Sequence, residues 1–151
     1  MRTDFEVDIA RRINAGVAAY TERVRSKRAG LLTLTQTAVL GQLYRHGAMT
    51  PGEIAERLRA KPQTLTRVLA ALQERGRIAR TPDPSDGRQS LITITVGGRA
   101  ALGEEMRPRH LFAAELIASE LTDAERDLLT IAAGLLERLA AAGDPPVRAE
   151  P

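Results

Sequence analysis

The chain has 151 residues, of which 43% are hydrophobic and 27% charged, as is usual for a globular protein of one domain. It contains no cysteine, which excludes disulfides, thiol nucleophiles and thiolate metal sites. The net charge is +3, but residues 1–99 carry 17 Lys/Arg against 9 Asp/Glu, whereas residues 100–151 carry 5 against 10. The basic part therefore suits contact with a polyanion.

The first predicted element is a long amphipathic helix, which Gly30 follows. Apolar side chains recur at helical spacing over about six turns: Phe5, Ile9, Ile13, Val17, Tyr20 and Val24. The first eight residues, MRTDFEVD, lack the apolar run of a signal peptide. No apolar run in the sequence is long enough to span a membrane. We therefore expect a cytoplasmic protein.

Three shorter helices are predicted next, with a short strand at residues 48–50 between the first two of them. Thr35 is a candidate N-cap for the second helix of the chain. Pro51 and Pro62 stand where the third and fourth helices begin, because proline is favoured at the first helical position. The fourth helix has an apolar stripe at spacing i, i+3, i+4, i+7: Leu65, Val68, Leu69 and Leu72. Gly76 suits its C-terminal cap.

The hydrophobic period then changes from helical to alternating, which predicts strands at residues 77–81 and 91–96 joined by a turn-forming loop. A long helix is predicted from about Thr95 to about Ser119, bent at Pro108. Thr122 and Glu125 form a capping box that starts the last helix.

The order of these elements predicts a mainly α fold with a small β-wing, that is, a winged helix-turn-helix with long N- and C-terminal dimerisation helices. We expect a single winged-helix domain over residues 1–143 and a disordered tail over 144–151. Within the domain, residues 34–99 would form the DNA-binding lobe, and residues 4–28 and 100–143 the dimerisation helices. The apolar faces of the long helices have no evident partner in so short a chain, which predicts a homodimer.

Two clusters of polar residues are candidates for DNA contact. The side of the fourth helix opposite its apolar stripe, with the residue before the helix, contributes Lys61, Gln63, Thr64, Thr66 and Arg67. Arginine and glutamine hydrogen-bond to base edges in the major groove, and threonine reaches bases or phosphates. Asp86 and Arg88 lie at the predicted hairpin tip, where an arginine suits the minor groove and an aspartate orients the guanidinium. The alternatives are a generic solvated helix face and an exposed ion pair in a loop.

Four stretches resemble the multiple-antibiotic-resistance regulator (MarR) family of winged-helix proteins: GAMTPGEIAERL at 47–58, LTR at 65–67, LQERG at 72–76, and DPSDGRQSLITIT at 83–95, which is followed by Gly98-Arg99. The resemblance places Thr66 and Arg67 on the recognition helix and Asp86 and Arg88 in the wing. It also implies modulation by a small, often aromatic or phenolic, ligand between the dimerisation helices and the DNA-binding lobe. Two positions depart from the family pattern, since Lys61 replaces a capping Ser or Thr and Gly87 replaces a second basic residue.

The sequence thus predicts a homodimeric, DNA-binding transcriptional regulator, expected to be a repressor, on a palindromic operator in double-stranded DNA. No catalytic set, cofactor motif or metal cluster can be assembled, so we expect neither an enzyme nor a cofactor or metal site. His46 and His110 are interpreted as helix-end or interface residues. The alternative is a winged-helix dimer that acts as a protein-interaction module or a small-molecule-binding protein without an operator.

Overall fold

A computed structural model of the chain describes residues 4–84, 86–87 and 89–143. The described residues form six helices and two strands: α1 Asp4–Arg25, α2 Leu34–His46, α3 Pro51–Leu58, α4 Pro62–Glu74, β1 Ile78–Pro82, β2 Ser90–Ile94, α5 Val96–Glu120 and α6 Asp123–Ala141. This confirms the predicted mainly α fold with a small β-wing. The chain divides into two compact units, Met1–Leu111 and Phe112–Pro151. The predicted tail, residues 144–151, lies outside the described residues.

Side-chain caps define the starts of α2 and α3. Thr33, and not the predicted Thr35, caps α2: its hydroxyl accepts from the backbone N–H of Gln36, and the Gln36 side chain accepts from the N–H of Thr33. The prediction was wrong by two residues because both threonines precede an apolar stretch, and only Thr33 has a glutamine three residues later. At α3, Thr50 is the N-cap, directly before Pro51, and it forms the same capping box with Glu53.

The core of the first unit lies where α2, α3 and α4 meet the β-hairpin. Its buried members are apolar side chains from all of these elements and from the segments before α2 and α3: Leu32, Val39, Leu40, Leu43, Met49, Ile54, Leu65, Leu69, Leu72, Ile78, Ile92 and Ile94. The predicted stripe of α4 is confirmed as its inward face, with Val68 half-buried. Burial on this face fixes the rotation of α4 and so determines which side chains it presents outward.

The strands pair antiparallel, with Ile78 opposite Ile94 and Pro82 opposite Ser90. At the hairpin tip each strand is one residue longer than predicted. At the end near α5, β1 begins one residue later and β2 ends two residues earlier than predicted, because Thr95 leaves the strand. Its hydroxyl accepts from Gly98 N and donates to Gly76 O, which starts α5 at Val96. The predicted strand at 48–50 is reduced to one bridge, in which Met49 and Ile92 exchange two backbone hydrogen bonds of 3.0 and 2.8 Å.

Close packing surrounds the start of α5. A Cβ built on Gly98 would lie 2.0 Å from the carbonyl oxygen of Arg77, so only glycine fits there. The Arg77 guanidinium donates to Gly97 O at 2.8 Å, which ties α5 to the chain before β1. Pro108 lies inside α5, as predicted.

In the second unit, α6 begins with the predicted capping box, in which the Glu125 carboxylate accepts from Thr122 N at 2.8 Å. The Arg126 guanidinium donates to Ile117 O and Ala118 O at the end of α5. No residue of α6 is buried, although Leu128, Leu129, Ile131, Leu135, Leu136 and Leu139 lie on it. In the first unit, Val24 is the only residue of α1 that is buried.

Candidate nucleic-acid interface

The outward face of α4 presents the predicted DNA-contacting side chains together. Gln63, Thr64, Thr66 and Arg67 are all exposed, whereas Leu65 and Leu69 of the same helix are buried in the core. Ala70 continues the exposed face with a small side chain. Polar side chains of this type are suited to a groove of duplex DNA when the opposite face of their helix is packed against the core.

The first turn of α4 has features that suit an anionic partner. Lys61 occupies the N-cap position with extended backbone and makes no side-chain cap, as the departure from the family pattern predicted. The first turn contains no acidic residue. The Thr66 hydroxyl donates to Pro62 O at 2.9 Å, so its proton is used within the helix and its oxygen is left to accept.

The helix that precedes α4 carries one further cation, Arg57. Arg57 on α3 lies with Nη1 3.5 Å from Nε2 of His46, the last residue of α2, and both side chains are exposed. Glu53 lies on the same helix, and hydrogen bonds from the backbone and then the hydroxyl of Thr50 lower the pKa of its carboxyl. Glu53 is therefore a charged cap, and its role is to hold the start of α3.

At the hairpin tip, Asp86 organises the described part of the loop. Gln89 N donates to Asp86 O at 2.9 Å, and Gln89 Nε2 donates to Asp86 Oδ2 at 3.2 Å. Neither of these hydrogen bonds between Gln89 and Asp86 was predicted from the sequence. Arg88, predicted beside Asp86 as the minor-groove residue, lies outside the described residues, so its pairing stays a prediction.

A cleft of about 450 Å³ lies between α2 and α5 within the first unit. Its lining combines apolar and small side chains with basic groups: Thr37, Ala38, Gly41, Tyr44, Arg45, Arg99, Leu102, Gly103, Met106, Arg109 and His110. Three arginines and a histidine line it, and no carboxylate is among these described residues. The Nε of Arg109 is buried and has no hydrogen-bond partner among the described residues. Such a lining is complementary to a small anion with an apolar body.

The residues of the sequence did not by themselves indicate this cleft, although the family resemblance implied a ligand between the dimerisation helices and the DNA-binding lobe. His110 was interpreted as an interface or helix-end residue, and it lines the cleft. A signal is present in the helical spacing of Arg99, Leu102, Met106 and Arg109, but it becomes readable only once α2 is known to face α5. Within the part of the chain that the structure describes, no three His, Asp or Glu side chains are grouped as metal ligands. No described helix has the length and apolarity to cross a membrane.

Comparisons with known proteins find similarity to transcriptional regulators. Residues 32–90 match the model of the MarR family. An HTH-type transcriptional regulator of Mycobacterium bovis is 34% identical over 134 residues, which are 88% of this chain and 93% of that protein. The transcriptional repressor MdtR of Bacillus subtilis is 33% identical over 94 residues, 62% of this chain and 60% of that protein. Among solved structures, a transcriptional regulator of Pseudomonas aeruginosa superposes with a TM-score of 0.76 at 26% identity, over 95% of this chain and 100% of that one.

Proposed function

Because this chain belongs to the MarR family of DNA-binding transcriptional regulators, we propose that it acts as a homodimeric repressor on a palindromic operator. Each α4 enters the major groove of one half-site, and each wing contacts the flanking minor groove. Binding takes place in the cytoplasm, and a small aromatic anion in the cleft between α2 and α5 releases the DNA.

The outward face of α4 carries this proposal. Its inner face is locked by fully buried leucines, so the positions of Gln63, Thr66 and Arg67 are set by the core and not by a flexible loop. A base-reading residue needs this rigidity, because a bidentate arginine contact requires a defined direction. Arg67 is the residue of α4 that suits a guanine edge.

The apolar faces of α1 and α6 support the dimer. On α1, Phe5 is 73% exposed, and on α6, Leu128 and Leu139 are about two-thirds exposed within one subunit. Large apolar side chains repeated along a helix favour burial against another chain. A two-fold axis would place the two copies of α4 about one helical turn of DNA apart, roughly 10 base pairs.

The basic lining of the α2–α5 cleft supports a ligand and favours an anion over a neutral phenol. Arg45 and Arg99 would provide charge, and the buried Nε of Arg109 would gain a partner that the described protein does not provide. Since α2 belongs to the core that holds α4, a ligand that changes the α2–α5 spacing would move the recognition helix. The family relationship to the repressor MdtR supports repression as the outcome of operator binding.

The test is titration of the operator and a scrambled duplex with the parent, Arg67→Ala and Arg107→Ala. Arg107 is an exposed α5 arginine away from the cleft lining and controls for the lost charge. We expect Arg67→Ala to lose about 1–3 kcal/mol of binding free energy on the operator and much less on the scrambled duplex. The control should bind both as the parent does.

If folded Arg67→Ala discriminates as well as the parent, α4 does not read bases in the way proposed. If the parent itself shows no salt-dependent binding to any duplex, the alternative of a dimer that binds proteins or small molecules replaces the operator model. Footprinting that reveals one unpaired half-site would contradict the palindrome.

A further inference from the structure

Arg59 adopts a backbone conformation that arginine rarely takes. It lies in the turn between α3 and α4 with φ 48° and ψ 39°, in the left-handed region. The turn is closed by two backbone hydrogen bonds, from Arg59 N to Glu56 O at 3.1 Å and from Ala60 N to Ala55 O at 2.9 Å. This pattern ends a helix with one left-handed residue, and that residue is most often glycine because Cβ is disfavoured there.

The chain uses glycine at the other positive-φ positions of the described residues, which are Gly30, Gly47 and Gly76. Arg59 is therefore an exception within this chain as well as by general preference. A left-handed non-glycine residue lowers the stability of the fold, and such strain is retained most often where the side chain has a use.

The surroundings of Arg59 show no structural use for its side chain. The residue is exposed, and its guanidinium has no hydrogen bond or ion pair in the described part of the chain. Only Ala60 and Lys61 separate it from the first residue of α4. Lys61 is also an exposed cation, and the first turn of α4 that follows has no carboxylate.

We propose that Arg59 is a phosphate-contacting residue that positions α4 on the DNA backbone. This deepens the DNA-binding role proposed above and rests on it. The turn leads directly into α4, so a cation fixed in the turn lies near the edge of the groove when α4 enters it. The contact is to phosphate, since the side chain belongs to the turn and not to the outward face of α4 that reads bases. The protein thereby gives up the stability that glycine would provide at residue 59 and gains affinity for any duplex.

The experiment separates these two effects with three variants of the full chain. Arg59→Gly removes both the charge and the backbone strain, Arg59→Asn removes the charge but tolerates the left-handed conformation, and Arg59→Lys keeps the charge. Arg107→Ala is the matched control for loss of one exposed arginine. Thermal unfolding and binding to a mixed-sequence duplex of about 30 base pairs, which accommodates two half-sites, are measured at several salt concentrations.

Arg59→Gly should unfold at the same temperature as the parent or a few degrees higher, yet bind DNA more weakly. One lost phosphate contact lowers the slope of log K against log salt by about 0.9, which is roughly eightfold in affinity at 0.1 M salt, and a dimer loses two. Arg59→Asn should bind as weakly as Arg59→Gly, whereas Arg59→Lys should retain most of the slope.

Unchanged affinity and slope in Arg59→Gly, with the parent binding normally, would overturn the role of Arg59 and leave the proposed function standing. An equal loss in Arg107→Ala would also overturn it, since the effect would then follow net charge alone. If the parent binds no duplex, both the proposed DNA-binding function and the role of Arg59 are contradicted.

Discussion

Glu105 on α5 is buried beneath the segment that joins α1 to α2, and it forms an ion pair with Arg28 of that segment. Its Oε1 lies 2.9 Å from Arg28 Nη2, and its Oε2 accepts from Leu31 N at 2.7 Å and from Leu32 N at 3.1 Å. The Glu105 side chain is 1% exposed and that of Arg28 is 25% exposed. One carboxylate thus satisfies two backbone donors and a guanidinium, and it attaches the start of α2 to α5.

Glu105→Gln should destabilise the protein by about 1–3 kcal/mol at neutral pH, because an amide cannot accept all of these hydrogen bonds and leaves Arg28 with less compensation. The measurement is the free energy of unfolding in denaturant. Glu104→Gln is the matched control, since Glu104 is the neighbouring exposed residue and its pair with Arg107 is 3.9 Å long. Its change should stay within about 0.5 kcal/mol. Equal effects in both variants would contradict the role of Glu105.

The stability that Glu105 contributes should be lost in acid. Burial opposes its ionisation, but hydrogen bonds from Leu32, Leu31 and Arg28 outweigh burial and lower the pKa of the carboxyl below its ordinary value. A group with a lowered pKa in the folded state stabilises above its unfolded pKa, and this is lost as the pH falls through the folded pKa. The difference in stability between parent and Glu105→Gln should therefore shrink below the ordinary glutamate range. A difference that stays constant there would contradict the assignment.

Gly98→Ala should lose more than about 3 kcal/mol of stability, because its Cβ would lie 2.0 Å from Arg77 O and 2.8 Å from a side-chain carbon of Ile94. A backbone carbonyl cannot move away without breaking the start of α5. Gly97→Ala is the control one residue earlier, where the nearest atom to the new Cβ is 3.5 Å away. Denaturant midpoints that are equal for the two variants would show that the approach of Arg77 to α5 is not tight.

The parent should sediment at twice the 16.4 kDa chain mass at micromolar concentration, since an obligate interface of interleaved helices buries more than about 2,000 Å². Leu135→Lys, on the apolar face of α6, should shift the chain to monomer or unfold it. Glu137→Lys introduces the same residue at an exposed polar position and should remain dimeric. A well-folded parent monomer would remove the dimer and, with it, the palindromic operator.

An aromatic anion should stabilise the parent through the α2–α5 cleft. Benzoate or a related compound at a hundred times its dissociation constant should add about 2.7 kcal/mol of stability, because it binds the folded state only. Arg109→Leu should abolish the rise in unfolding temperature, and Arg107→Leu should not. If no aromatic carboxylate or phenol in a panel raises the unfolding temperature of the parent, the regulator operates without such a ligand.

Local patterns were sufficient to predict the helices and the inward face of α4. The stripe Leu65, Leu69 and Leu72 is readable because helical geometry places residues three and four apart on one side, whatever packs against them. Its opposite side then had to present Gln63 and Arg67, so this part of the candidate interface was also predictable. Pro62, the Thr122–Glu125 box and the hairpin between alternating strands likewise depend on neighbours close in the chain.

Tertiary structure decided the features that join distant parts of the chain. Glu105 and Arg28 are 77 residues apart, and an isolated glutamate on a helix gives no sign that it will be buried under a loop. The cleft exists only because α2 and α5 face each other. The left-handed conformation of Arg59, between α3 and α4, does not follow from any preference of arginine. Periodicity determines which face of an element is apolar, whereas contacts between elements determine which polar groups meet and what they are free to bind.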